Sequence, residues 1–125
     1  MPFLSDFVLD LALAELDTAA NVLHVCSQEP TTYTEAITTY TLGNKTSLNV
    51  GAPADRVAAG GGRRVTVAAI TDGTITATGT ATHYAIVDTV GTRLLGTRAL
   101  AASQAVTDGN TLTLAAFDIG IPDAV

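Results

Sequence analysis

Arg63-Arg64-Val65-Thr66-Val67-Ala68-Ala69-Ile70-Thr71-Asp72-Gly73-Thr74-Ile75-Thr76-Ala77-Thr78 opens the stretch, residues 63–119, whose reading decides the fold. Threonine and β-branched residues alternate there, and β-branched side chains favour a pleated, half-buried surface. Asp72-Gly73 reads as a hairpin turn between Val65–Ile70 and Thr74–Thr78. Gly79 permits a bend. Thr82–Asp88 is the most regular strand, with His83, Ala85 and Val87 on one face and Tyr84, Ile86 and Asp88 on the other. Val90-Gly91 turns into a strand from Thr92 to Leu100. Arg93 and Arg98 are an odd number of residues apart, so regular pleating sets them on opposite faces; a bulge at Gly96 would realign them. Asp108-Gly109 makes the next turn, before Thr111–Ile119, and Pro122 ends the last strand. The whole stretch reads as an antiparallel β meander, closed as a β-sandwich or a barrel.

Upstream, residues 1–20 read as one helix. Asp6, Asp10 and Asp17 fall within about 40° of arc at 100° per residue. Phe3, Leu4, Phe7, Val8, Leu11, Ala12 and Leu16 occupy most of the remainder, so the polar stripe is narrow and the helix is expected to be covered on several sides. Its own sheet covers one side; whether a neighbouring subunit covers another stays open. Ser5 or Pro2 marks the start and Asn21 the end. Val22–Cys26 follows as a short strand. Thr32 and Glu35 have capping-box spacing for a short helical turn. Thr38–Leu42 has strand composition, Gly43-Asn44 reads as a turn, and Thr46–Val50 as a return strand. Residues 51–62, rich in Gly and Ala, are the expected flexible loop.

At 125 residues a single domain, 1–125, is expected. The net charge is −6, with one lysine (Lys45) and arginines at 56, 63, 64, 93 and 98. Nucleic acid is not an expected partner, because phosphate binding needs a basic patch. Charged residues make up 14% of the chain, below the roughly 25% usual for globular domains, and mean hydropathy is +0.36. No apolar run reaches the ~18–20 residues of a membrane span, so no membrane is expected as a partner. The acidic residues at 6, 10, 15 and 17 also argue against a signal peptide. So little charge points to surface buried against partners, including other copies of the chain.

The candidate chemistry is thin. Cys26 is the single cysteine, which excludes an intrachain disulfide. His24 and Cys26 share a strand face, and His83 is the only other histidine; a zinc site needs about four ligands, so packing is the expected role. The glycine run before Arg63-Arg64 lacks the P-loop spacing and its Lys-Ser/Thr, so no cofactor is expected. Asp88, Asp118 and His83 are the only acid–base grouping on offer, and Asp88 stands where a hairpin corner favours Asp.

Four segments carry a family resemblance: 25–36 (VCSQEPTTYTEA), 79–88 (GTATHYAIVD), 105–111 (AVTDGNT) and 117–122 (FDIGIP). On them the chain resembles small virion structural proteins from the head region of tailed bacteriophages. The resemblance covers roughly residues 20–123 and implies a non-enzymatic virion component, assembled in the bacterial cytoplasm and located on the phage head. The leading expectation is a capsid decoration, or cement, protein that binds the major capsid protein or other virion proteins as a homo-oligomer, by analogy a trimer. A head–tail connector and a tail or fibre component are the alternatives. The candidate interaction residues are Phe3, Leu4, Phe7 and Leu11 on the helix, and Arg56, Arg63 and Arg64 at the loop and the strand it enters.

Overall fold

The computed structural model describes residues 5–57 and 61–122; Phe3 and Leu4 lie outside the described residues. The elements are α1 (Asp6–Ala19), β1 (Val22–Cys26), a single π-helical turn (Glu35–Thr39), β2 (Thr41–Thr46), β3 (Ala54–Asp55), β4 (Arg63–Val67), β5 (Ile70–Ile75), β6 (Gly79–Asp88), β7 (Arg93–Val106), β8 (Thr111–Leu114) and β9 (Phe117–Ile121). The chain is mainly β with one N-terminal helix, as expected. A six-stranded sheet, ordered β7-β6-β1-β2-β5-β8, curls into a half-barrel, and a second sheet is ordered β3-β4-β9. Every strand pair is antiparallel.

The strand order replaces the expected meander. Only β6 and β7 are sequential neighbours within 63–119 that pair through a hairpin. The two central positions of the large sheet belong to β1 and β2, which lie outside that stretch, and β1 is buried at all five residues. Both its faces are covered. Leu23 and Val25 point into the half-barrel with Tyr84, Ile86, Val65, Val67 and Ile75. Val22 and Cys26 point outward with Ala85 and Val87, beneath Tyr33, Ile37 and Tyr40. The segment before β2 therefore acts as a lid on the sheet's outer face. Its turn is held by Thr32 Oγ1, which accepts the Glu35 N–H at 3.1 Å. Glu35 Oε1 returns to Thr31, accepting its N–H at 2.8 Å and its hydroxyl at 2.7 Å, so the capping box is shifted by one residue.

Asp72-Gly73 is not a hairpin turn. β5 runs straight through it from Ile70 to Ile75 and pairs with β8. Ile70 faces Leu114 and Gly73 faces Leu112, so three steps on β5 match two on β8, and the pair sits at a bulge. Glycine is needed for closeness rather than for a turn, since a Cβ at position 73 would lie 2.8 Å from the Leu112 Cβ. Gly43-Asn44 is likewise inside β2 rather than a turn, and a Cβ at Gly43 would meet the Thr74 carbonyl at 2.4 Å. Residues 46–50 do not form a full return strand; Val50 makes an isolated bridge to Val67. The expected loop 51–62 carries β3, which pairs with Arg63 and Arg64.

Gly96 does sit at a bulge. Ile86 faces Gly96 and Val87 faces Leu94, leaving Leu95 as the extra residue. Asp88 faces Arg93 and Tyr84 faces Arg98. The bulge thus puts both arginines on the Tyr84–Ile86–Asp88 side, which regular pleating would not do.

α1 closes the half-barrel with one face. Leu9 and Leu13 are fully buried, with Leu16 and Ala20 following at helical spacing. Among the described residues none covers the opposite face, where Phe7, Val8 and Leu11 are exposed; the expected cover by the chain's own sheet is on the leucine face. The acidic stripe runs along the flank between the two faces, and from it Asp10 reaches β4.

The glycines separate two substitution outcomes. Gly43→Ala is expected to cost about 1–3 kcal/mol by overpacking against the β5 backbone. Gly96→Ala meets nothing within 4 Å and is expected to be neutral or to stabilise by up to about 1 kcal/mol through the unfolded chain. Urea denaturation midpoints of the two variants check the contrast.

Candidate interaction site

The expected residues fall into three places. Phe7 and Leu11 lie together on the uncovered face of α1 with Val8; they are 71%, 55% and 45% exposed. On a 100° wheel this face is roughly 160–260° away from Leu9, so burial of the leucine face leaves these three in solvent.

Arg63 does something else. Its Nε and Nη2 donate to the two Asp10 carboxylate oxygens at 2.8 and 3.1 Å, and its Nη1 donates to Asp55. This fork ties α1, β3 and β4 together, and the two carboxylates hold the guanidinium charged even more firmly than usual. Arg63 is an internal clamp, not an outward contact.

Arg56 and Arg64 come together at one end of the seam between β7 and β9. They line a cavity of about 240 Å³ with Val57, Arg98, Asp118 and Gly120. Arg56 lies across Gly120, where a Cβ would sit 2.8 Å from the Arg56 Cδ, and its Nη1 donates to the Gly61 carbonyl at 2.9 Å. Arg64 Nη1 donates to Thr66 Oγ1 at 2.6 Å and to Asp118 Oδ1 at 3.2 Å, and the Thr66 hydroxyl donates to Asp118 Oδ1 at 2.6 Å. Arg98 is the member that sequence reasoning missed. It is inward-facing by register but stands on an edge strand, so it reaches both Tyr84 and this cavity. Its only sequence signal is the parity change that a bulge at Gly96 introduces.

The residues weighed for chemistry have structural partners. Register sets Cys26 opposite His83, on the face shared with His24. Cys26 is fully buried, its thiol approaches the Ala36 carbonyl at 3.8 Å, and burial pushes its pKa up to about 11, so it stays protonated and poorly nucleophilic. His24 Nδ1 lies 2.8 Å from Thr41 Oγ1, and burial lowers its pKa. His83 Nδ1 lies 2.9 Å from Thr82 Oγ1. Among the described residues no group of three or more His, Cys, Asp or Glu is placed to hold a metal ion.

Asp88 accepts the Val90 and Gly91 N–H groups at 3.0 Å each and the Arg93 Nη2 at 3.1 Å. It closes the β6–β7 corner, where Thr92 adopts φ 53°, a region disfavoured for a β-branched residue. Asp118 is engaged in the other sheet, and among the described residues the two carboxylates share no partner.

No protein-family model matches the sequence, and no curated protein and no solved structure is significantly similar to it.

The Gly91 N–H bond, the Arg93 hydrogen bond and the Val90 N–H bond hold the Asp88 pKa below its usual value, against the opposing effect of burial. Its contribution to stability is complete above the ordinary carboxylate pKa of about 3.9 and is lost as pH falls through the lower folded value. Asp88→Asn is therefore expected to destabilise the protein at pH 7, with the gap from wild type narrowing below pH ~4. Urea midpoints at pH 7 and pH 3 check this.

Proposed function

We propose that this protein is a structural component of a tailed-bacteriophage virion, most specifically a capsid decoration protein that joins the head lattice through many weak contacts. The observation that carries the reading is the bare apolar face of α1. Phe7, Val8 and Leu11 stand in solvent on a helix whose other face is locked into the half-barrel and whose flank is clamped by Arg63. A rigidly mounted apolar patch loses little entropy on docking. Burial of such a patch contributes at about 25 cal/mol per Å², and repetition over a lattice multiplies a modest affinity. The low charged fraction and the resemblance of segments 25–36, 79–88, 105–111 and 117–122 to phage head proteins support the same reading. The major capsid protein and further copies of this chain are the proposed partners, with the virion head as the location.

Particle composition and a surface variant test the proposal together. Quantitative mass spectrometry and cryo-electron microscopy of purified virions are expected to find the protein in high copy number on the head. About a dozen copies at the portal vertex would instead make it a connector, a few at the tail tip an adhesion component, and absence from the particle would overturn the proposal. The double variant Phe7→Ser, Leu11→Ser is expected to keep its folding stability within about 0.5 kcal/mol of wild type while losing self-association or particle binding. Unchanged association would remove the helix face from the account.

A further inference from the structure

β7 runs for 14 residues, from Arg93 to Val106, and ends the order of the large sheet, so among the described residues it is paired on one side only. Long sheet edges are ordinarily blunted by charged side chains or proline, because their free N–H and C=O groups accept a further strand. Here Ala99–Thr107 carries neither charge nor proline, and Ala101–Ala105 are exposed. Ala81 faces Gln104 and His83 faces Ala99, so two steps on β6 match five on β7. The surplus leaves Leu100–Ser103 outside the regular β6 ladder, with Thr82 alone between the two registers. A cavity of about 560 Å³ opens beside this segment, lined by Leu100, Ala101, Ala102 and Gln104 on β7 and by Thr113 and Leu114 on β8 among others, so β8 stands off from it. No lining residue is charged. Residues 1–4, 58–60 and 123–125, which lie outside the described ones, join the chain at Ser5, Val57, Gly61 and Pro122, and none of those four lines the cavity.

The segment is nearly symmetric in side-chain type about Ser103. Two copies laid antiparallel with Ser103 opposite Ser103 set Ala101 opposite Ala105, Leu100 opposite Val106, Ala102 opposite Gln104, and Arg98 opposite the turn that carries Asp108. Opposed residues are separated by an even number of positions, so they share a face. Leu100 and Val106, partly buried against the core, stay on the core side in both copies, and Ala101, Ser103 and Ala105 on the other. Two molecules of net charge −6 repel on most approaches. This approach opposes uncharged residues in the middle and opposite charges at both ends, and it keeps the two Asp108 carboxylates apart. Moving the centre to Ala102 or Gln104 sets Asp108 opposite Gly96 or Leu100 instead. The match needs the sign of the Arg98 charge and no vacant donor, so Arg98 keeps its hydrogen bond with Tyr84.

We propose that β7 pairs with β7 of a second copy of this chain, antiparallel about a two-fold axis at Ser103, joining the two large sheets into one. This interface deepens the proposed self-association and rests on that reading only in taking a second copy as the partner. It lies on a sheet edge separate from the Phe7–Leu11 face. Main-chain hydrogen bonds supply the affinity, and the matched small side chains and terminal charges fix the register. A single strand edge buries less than the about 1,600 Å² of a standard interface, so a weak, concentration-dependent dimer is expected.

Sedimentation equilibrium of the purified full chain over a concentration series tests the pairing, with engineered cysteines as a second readout. Wild type is expected to show a monomer–dimer equilibrium. Ser103→Lys opposes two like charges at the axis and is expected to weaken the dimer at least about tenfold, while Ser103→Ala leaves it unchanged. Ser103 is exposed, and unchanged urea midpoints check that each variant keeps its fold. Under mild oxidation Ser103→Cys is expected to form a reducible covalent dimer. Ala105→Cys is not, since its two copies stand about 13 Å apart along the strands and a disulfide needs Cα atoms within about 7 Å. Cys26 is fully buried and does not compete. The helix variant Phe7→Ser, Leu11→Ser is expected to keep the Ser103 cross-link, whatever its effect on larger assemblies or particle binding. A monomeric wild type, a dimer indifferent to Ser103→Lys, equal cross-linking at 103 and 105, or a cross-link lost in the helix variant would each overturn the pairing. Head location and copy number are read from virions, so the capsid reading stands or falls on a separate result.

Discussion

Val65 opposite Ile119, Val67 opposite Phe117 and Ile70 opposite Leu114 share one register. Two strands therefore run past each other in step from Arg63 to Ile70 and from Leu114 to Ile121, although they belong to two different sheets, and the register slips by one only at the bulge after Ile70. At the changeover each strand carries an alanine pair, Ala68-Ala69 and Ala115-Ala116, and the shared register sets these pairs against one another. Methyl side chains put little bulk across the ladder, so the ribbon can bend there. Its hydrogen bonding is diverted at the same point, since the Ala68 N–H donates to the Asn49 carbonyl at 2.9 Å. One end of the ribbon is the edge of the half-barrel, and the other folds over its mouth as the second sheet.

The bend places the remaining parts. It brings Phe117 onto Tyr84, ring centroids 4.6 Å apart, an aromatic contact worth about 0.5–1.5 kcal/mol beyond its burial. It carries Arg63 inward to meet Asp10 and Asp55, which fixes the helix across the opening. It also stands β9 alongside β7 without pairing, and the arginine-lined cleft is the consequence. The uncovered helix face and the cleft are thus two products of one geometry.

Local pattern carried part of this. The alternation in Thr82–Asp88 gave the correct two faces, because one lies against the core and the other beneath the Tyr33–Tyr40 lid. The parity of Arg93 and Arg98 exposed the bulge at Gly96. What local pattern lacked was the partner of each strand. Asp-Gly favours a turn and a bulge for the same reason, the freedom of glycine, and only Leu112 pressing on Gly73 decides between them. Gly43 was misread similarly, since the backbone of β5 that requires it lies some thirty residues downstream. Helical spacing placed Phe7 and Leu11 off the acidic stripe, but which apolar face meets the half-barrel was settled by Leu9 and Leu13 packing into it. Arg63 looked like its neighbour Arg64, yet pleating sends the two to opposite faces, one into a clamp and the other to the cleft. Arg98 became a site residue only once the ribbon's bend had brought β9 beside it.

The continuous ribbon is the claim on which the architecture turns, and nuclear Overhauser contacts measured on the protein in solution test it most directly. The account predicts cross-strand contacts between Gly73 and Leu112 and between Val67 and Phe117, on either side of the alanine corner. Cross-strand contacts between Ile70 and Ile75 around a turn at Asp72-Gly73, with none from Gly73 to Leu112, would contradict it.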